Sequence, residues 1–293
     1  MIAWPSKHPI AEFLPVVSLS GGKDSTATAL ALREAEIPAV YVFADTGWEA
    51  DSTYIHLNYL ETALGQPIHR VRPARSMVEA IRHRVGFPSR VQRWCTRELK
   101  IKPINHFLQL LDAWSGLHVV NVVGVRAQES RSRATLPEWE EPEELDGCLW
   151  RPLIRWTLEE VIAIHNRHGV EVGPLYRAGH ERVGCYPCIF AAKEEIRLVA
   201  ERAPERVEVI RQLEAEITAE RSARNVEQPG RHKHERATFF QGGRLNPGPV
   251  AIDDVIAWSR TVRGGRQLPL IAEPPTGGCF RWGLCEPPRK GSK

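Results

Sequence analysis

The sequence predicts an α/β fold built on a parallel sheet, and three observations carry that prediction. Short apolar runs alternate with segments of helical period from Val16 to about Val125. The first run enters a helix through a turn made of two glycines, a lysine and an aspartate, "SLSGGKDST". The second run ends in the polar cluster "FADTGWE", so polar groups gather where strands end, and that rim is where parallel sheets take ligands.

The elements follow in order. Val16, Val17 and Leu19 make the first strand, while Thr26, Ala27, Leu30, Ala31 and Ala35 recur at helical spacing, leaving Ser20 to Ser25 as the turn. A helix N-terminus attracts anions through its unpaired N–H groups and the positive end of its dipole. Gly21 and Gly22 remove the Cβ atoms that would keep phosphate oxygens away, Ser20 and Ser25 add hydroxyls, and Lys23 supplies a full charge. The loop is shorter than G-x-x-x-x-G-K-[ST], and its lysine directly follows the glycines. "AVYVFADTG" is the second strand, with Asp45, Thr46 and Glu49 at its end; a helix through Tyr54 to Leu64 precedes "PIHRVRP", the third strand. After a further helical stretch, "HVVNVVGVR" is the fourth. "GVRAQESRSRA" then sets Gly124, Arg126, Arg131 and Arg133 just past a strand end, where guanidinium forks suit phosphate or sulfate oxygens, a solvated arginine face being the alternative.

Trp156 to His168 has the period of an amphipathic helix, with Thr157 as N-cap and Gly169 as its stop. A long charged helix is expected from about Ala191 to Ala223, broken near Arg202 to Pro204. A polar, glycine-rich excursion follows, and the final stretch carries too many Pro and Gly residues for a stable element. The expected division is a nucleotide-binding domain over 1–190 and a helical extension with a cysteine-containing tail over 191–293.

The 293 residues, 42% hydrophobic, suffice for one large domain with an appendage. A formal net charge of +3 does not by itself call for nucleic acid. No apolar run reaches bilayer length and "MIAWPSKHPIAEFLP" lacks a signal-peptide pattern, so a cytoplasmic protein with no membrane partner is expected. In a reducing compartment the six cysteines, Cys95, Cys148, Cys185, Cys188, Cys279 and Cys285, point to metal or to thiol chemistry. "GCYPC" has a spacing at which two thiolates bind one metal; an iron–sulfur cluster, a structural zinc and free thiols all fit it. His232 and His234 are read as a solvated basic loop, with metal ligands as the alternative, and Trp94, Trp114, Trp139, Trp150 and Trp156 are expected to pack in the core or at its rim.

"SLSGGKDST" resembles the pyrophosphate-binding loop (PP-loop) of the ATP pyrophosphatases. "FADTGWE", "GVRAQESRSRA" and the stretch from "RPLIRWTLEE" to "GCYPC" resemble successive motifs of the phosphoadenosine phosphosulfate (PAPS) reductase family. The resemblance runs from Pro15 to Cys188 and implies an adenine-nucleotide alpha-hydrolase-like domain. It implies that Ser20, Gly21, Gly22, Lys23, Asp24 and Ser25 hold phosphates, with Gly124, Arg126, Arg131 and Arg133 beside them. Lys23, Asp24 and Asp45 would be the catalytic residues, Asp45 meeting the nucleotide or its Mg²⁺. Sulfonucleotide reductases generally depart from the intact loop, so the loop kept here favours ATP cleaved between its α- and β-phosphates. In iron–sulfur members a similar cysteine pair is joined by a pair further upstream, but here Trp94 stands beside Cys95. The implied 4Fe–4S ligands are Cys95, Cys185, Cys188 and a tail cysteine, Cys285 ahead of Cys279; zinc would accept the same sulfurs, and Cys148 is read as a buried thiol. The E-C-G-L-H motif of PAPS reductases is absent; "FRWGLCEPP" shares the letters E, C, G and L with it but not their order. The implied activity is adenylation of an acceptor with pyrophosphate release, followed by sulfur transfer. A cysteine desulfurase or thioredoxin would be the sulfur-side partner and tRNA or DNA the acceptor. A thioredoxin-dependent sulfonucleotide reductase and a non-catalytic nucleotide or nucleic-acid binding module are the rival readings.

Overall fold

The computed structural model describes residues 2–5, 7–141, 147–232, 234–242 and 248–261. Cys279 and Cys285 therefore lie outside the described residues. A six-stranded sheet has the order β3-β2-β1-β4-β6-β5, formed by β1 (Phe13–Ser18), β2 (Val40–Ala44), β3 (Ile68–Val71), β4 (His118–Val123), β5 (Trp139–Glu140) and β6 (Cys148–Trp150). Every pairing is parallel except that of β5 with β6.

The central strands are apolar on both sides because both sides are covered. Val16, Val42 and Val119 face α5 (Lys102–Ser115) through Leu108, whereas Val17, Val120 and Val122 share a core with Leu30, Leu57, Leu60 and Ile164. Those four side chains belong to α1 (Lys23–Glu34), α2 (Asp51–Leu64) and α6 (Leu158–His168). Thr157 caps α6 with a reciprocal Glu160 bond and Gly169 ends it in the left-handed region, as the sequence predicts. The chain runs outward from β1 through β2 to β3 and then returns to place β4 on the other side of β1. The crevice outside the carboxyl ends of β1 and β4 is thus a topological switch point, where such sheets bind ligands.

A third core lies beyond that rim. It joins Trp48, Met77 and Ile81 of the region around α3 (Met77–Arg84) to side chains of α8 (Lys193–Arg202), α9 (Pro204–Glu227) and α10 (Ile252–Ser259). The helix break falls at Ala203, but α9 runs past the expected end at Ala223. The polar excursion contains two short antiparallel strands, β7 (Phe240–Gln241) and β8 (Pro249–Val250). Three other expectations are corrected. Trp94 and Trp150 are buried, but Trp114 on α5 is 84% exposed. Cys148, on β6, is only half-buried. His232 is half-buried as well, its N–H and carbonyl both bonded to the Asn225 side chain, while His234 is exposed. Among the described residues no helix is long and apolar enough to cross a membrane.

Candidate functional site

The loop after β1 is built by its own side chains. Gly21 has φ +72, a conformation that a side chain rarely adopts, and it turns the backbone so that Gly22 becomes the N-cap of α1. Ser25 Oγ accepts the Ser20 N–H at 3.1 Å and donates to the Gly22 carbonyl at 3.0 Å. From outside the loop, Tyr176 Oη accepts the Lys23 N–H at 3.2 Å, and His165 sets Nε2 2.9 Å from the Lys23 carbonyl. Gly124 permits the closest approach: a Cβ there would lie 2.6 Å from the Asp24 carbonyl oxygen and 2.7 Å from the Ser25 nitrogen. The end of β4 can sit against the first turn of α1 only without a side chain at that position.

Asp24 is the centre of charge. Lys23 Nζ is 2.8 Å from its Oδ2 and Arg126 Nε is 2.5 Å from its Oδ1, with Arg126 itself buried. Burial alone would push the Asp24 carboxyl up; Lys23 and Arg126 outweigh it and hold the group below the usual carboxylate range. Of the three predicted arginines only Arg126 reaches the loop. Arg131 is exposed, and Arg133 pairs with Glu129 and lines a different cavity.

Asp45, at the end of β2, accepts the Tyr54 hydroxyl at 2.7 Å, the Gly47 N–H at 3.1 Å and Arg72 Nε at 2.8 Å. Burial opposes its ionisation, but the Tyr54 and Arg72 bonds prevail and its carboxyl is held low. Glu49, fully buried, accepts from Thr46 and from the Trp48 N–H, which fixes the loop after β2. That loop holds the cysteine knuckle. Trp48 Nε1 donates to the Pro187 carbonyl at 2.9 Å, the Tyr186 N–H donates to the Trp48 carbonyl at 2.8 Å, and Glu49 bridges Cys185 as an isolated strand pair.

Cys95, Cys185 and Cys188 line one cavity of about 290 Å³ together with Arg93, Lys100 and Arg182. Lys100 hydrogen-bonds Cys185 and has Nζ 3.9 Å from Glu49 Oε1; burial disfavours its charge, but these neighbours overcome that and raise its pKa. Burial pushes the Cys95 and Cys185 thiols up. The three thiols are the donors an iron–sulfur cluster or zinc takes, yet among the described residues no three His, Cys, Asp or Glu side chains converge as a ligand set for one ion. The described residues therefore do not by themselves fit the expected metal centre, and its fourth predicted ligand, Cys285, lies outside them.

The profile of the phosphoadenosine phosphosulfate reductase domain matches residues 14–191, more than half of the chain. The chain belongs to that family. A relative over most of its length is the uncharacterized 37.8 kDa protein of the gpa 5′ region of Escherichia phage 186, 32% identical across 88% of this chain and 91% of the phage protein. The adenosine 5′-phosphosulfate reductase of Allochromatium vinosum is 30% identical across 57% of this chain, and the match spans only 64% of that enzyme. The PAPS reductase of Candida auris, solved as a phosphate complex, aligns with a TM-score of 0.45 and 18% identity over 59% of this chain and 81% of that one. The family match takes in the Ser20–Ser25 loop, Asp45, Arg126 and the cysteine knuckle together.

Sequence reasoning missed Tyr54, Arg72, Lys100, His165 and Tyr176. Arg72 directly follows a strand end, so the reasoning that singled out Arg126 applies to it equally. His165 and Tyr176 lie within the family-like stretch that ends in "GCYPC", but nothing in their spacing separates a loop-supporting ring from a core one.

Proposed function

We propose that the chain binds an adenine nucleotide with its phosphates in the Ser20–Ser25 loop, adenylates an acceptor with loss of pyrophosphate, and supports delivery of sulfur to that acceptor. The observation that supports this reading is the convergence of Lys23 and Arg126 on Asp24 at the head of α1, beside the switch-point crevice. An incoming triphosphate competes with Asp24 for Lys23 Nζ, so the loop exchanges one anionic partner for another. The acceptor oxygen attacks the α-phosphorus and the bond to the β-phosphate oxygen breaks. Lys23, Arg126 and the loop N–H groups then neutralise the charge that builds on the leaving pyrophosphate. Mg²⁺ arrives with the triphosphate as part of the substrate, and Asp45 is the carboxylate that would meet it. A sulfur nucleophile then displaces AMP, which is a far better leaving group than the original hydroxyl. Among the described residues, Cys95, Cys185 and Cys188 are the thiols beside this rim; a cysteine desulfurase is the class of sulfur donor, and tRNA or DNA is the class of acceptor.

The relatives named adenosine 5′-phosphosulfate reductase favour a second reading, reduction of a sulfonucleotide with thioredoxin as reductant. One pair of assays separates them. Under the first reading, ATP yields AMP and pyrophosphate, and Lys23→Ala abolishes the turnover while leaving the far-UV circular dichroism unchanged. ADP and orthophosphate as the only products would overturn that reading. Sulfite from a sulfonucleotide and thioredoxin, without ATP, would establish the second.

A further inference from the structure

We propose that a separate cavity, bounded by the chain after β3, by α3 and by the start of α5, is a binding site for a tetrahedral oxyanion, a phosphate or sulfate group. Its volume is about 330 Å³. Arg72, Arg75, His83, Arg84, Lys102 and His106 line it, and Glu98 is the single acidic residue of the lining. Glu98 is already matched: Arg84 donates to it, with Nε at 3.1 Å, and Arg97 lies 3.7 Å away. Arg72 is matched to Asp45. Arg75 and Lys102 have no carboxylate within ion-pairing distance among the described residues. The nearby Glu79 spends its carboxylate on the Ser76 N–H and hydroxyl at the cap of α3.

Arg75 and Lys102, each outside ion-pair distance of a carboxylate among the described residues, line one open, solvent-facing concavity with two imidazoles and give it a positive potential, which the charge of Glu79 on Arg75 offsets only in part. A multiply charged oxyanion answers it through charge-assisted hydrogen bonds, which guanidinium groups make in pairs. The lining shares only Leu99 with the cysteine cavity and contains none of the Ser20–Ser25 loop, so this is a second anion site. Arg72 ties it to the first, because its guanidinium lines the cavity while its Nε holds Asp45.

Titration calorimetry with inorganic phosphate, repeated with inorganic sulfate, tests the site in the full chain. Lys23→Ala weakens oxyanion binding at the loop, where Arg126 and the loop N–H groups remain, and in that background one equivalent of oxyanion is expected to bind still, held by the cavity. Arg75→Ala with Lys102→Ala in the same background should weaken this binding by at least about tenfold, with an unchanged unfolding midpoint. Binding of phosphate alone assigns the site to phosphoryl ligands, and binding of both assigns it to tetrahedral dianions in general. If the Lys23→Ala protein binds neither ion, or the double substitution leaves its affinity unaltered, the proposal is overturned.

Discussion

At the residue scale the most stringent positions are those where an atom has no room. Gly124→Ala would force a Cβ against the backbone of Asp24 and Ser25, neither of which can move without shifting the head of α1. We expect a loss of about 1–3 kcal/mol in urea unfolding and a matching loss of nucleotide affinity. Gly65→Ala is the control: its φ of +70 carries a strain of roughly 1 kcal/mol, but a Cβ there meets nothing within 4 Å. His56 supplies the pH dependence. Burial, then the charges of His165 and Arg177, lower its pKa to about 4 from 6.5, and burial likewise takes His180 to about 4. Below pH 6.5 the unfolded chain binds these protons while the native one does not, so stability falls as the pH drops from 6.5 toward 4. The loss reaches at most about 3 kcal/mol per histidine, and His56→Asn should flatten the slope of unfolding free energy between pH 7.5 and 5. The Ser20–Ser25 loop was legible because its glycines, serines and lysine act within one turn of chain. Arg72 carried the same strand-end signal as Arg126, but its partner Asp45 is set by the pairing of β2 with β3, and the Tyr54 bond to Asp45 depends on how α2 packs, neither of which spacing shows.

At the scale of elements, one buried carboxylate organises the end of the chain that the structure describes. Glu214 on α9 accepts the Phe239 N–H at 2.9 Å and the Ile252 N–H at 3.0 Å, which docks β7 and starts α10. Glu214→Ala leaves two backbone donors without this acceptor, a cost on the order of 3 kcal/mol. Glu214→Gln keeps one good acceptor oxygen and should lose less, a ranking that chemical denaturation of the two variants reads directly. Periodicity revealed the long helices because an apolar stripe repeats over several turns. β5, β7 and β8 have two residues each, too short for any period, and their pairing depends on contacts made far along the sequence. The knuckle belongs to the same class. Its C-x2-C spacing is visible in the sequence, but the Trp48 hydrogen bonds that fix it against the β2 rim are not.

For the whole molecule, the decisive fact is that the helices after residue 191 share a core with the site. Ile210, Leu213 and Ile217 of α9 pack in the same cluster as Trp48, Ile81 and Phe239, and Cys185 and Cys188 lie against its edge. Trp48 is fully buried and also carries the hydrogen bonds to Tyr186 and Pro187, so a defect in α9 reaches the cysteine cavity through it. Ile210→Ala removes a side chain with no solvent exposure from the middle of this cluster and should destabilise the protein by about 2–5 kcal/mol. Because the core is continuous from the β2 rim to α10, tryptophan fluorescence and far-UV circular dichroism should report one coincident unfolding transition in both proteins, shifted to lower denaturant in the variant. Two separated transitions, with only the later one unaffected by Ile210→Ala, would mean that the helical extension unfolds as an independent unit and that the cysteine cavity keeps its walls without it.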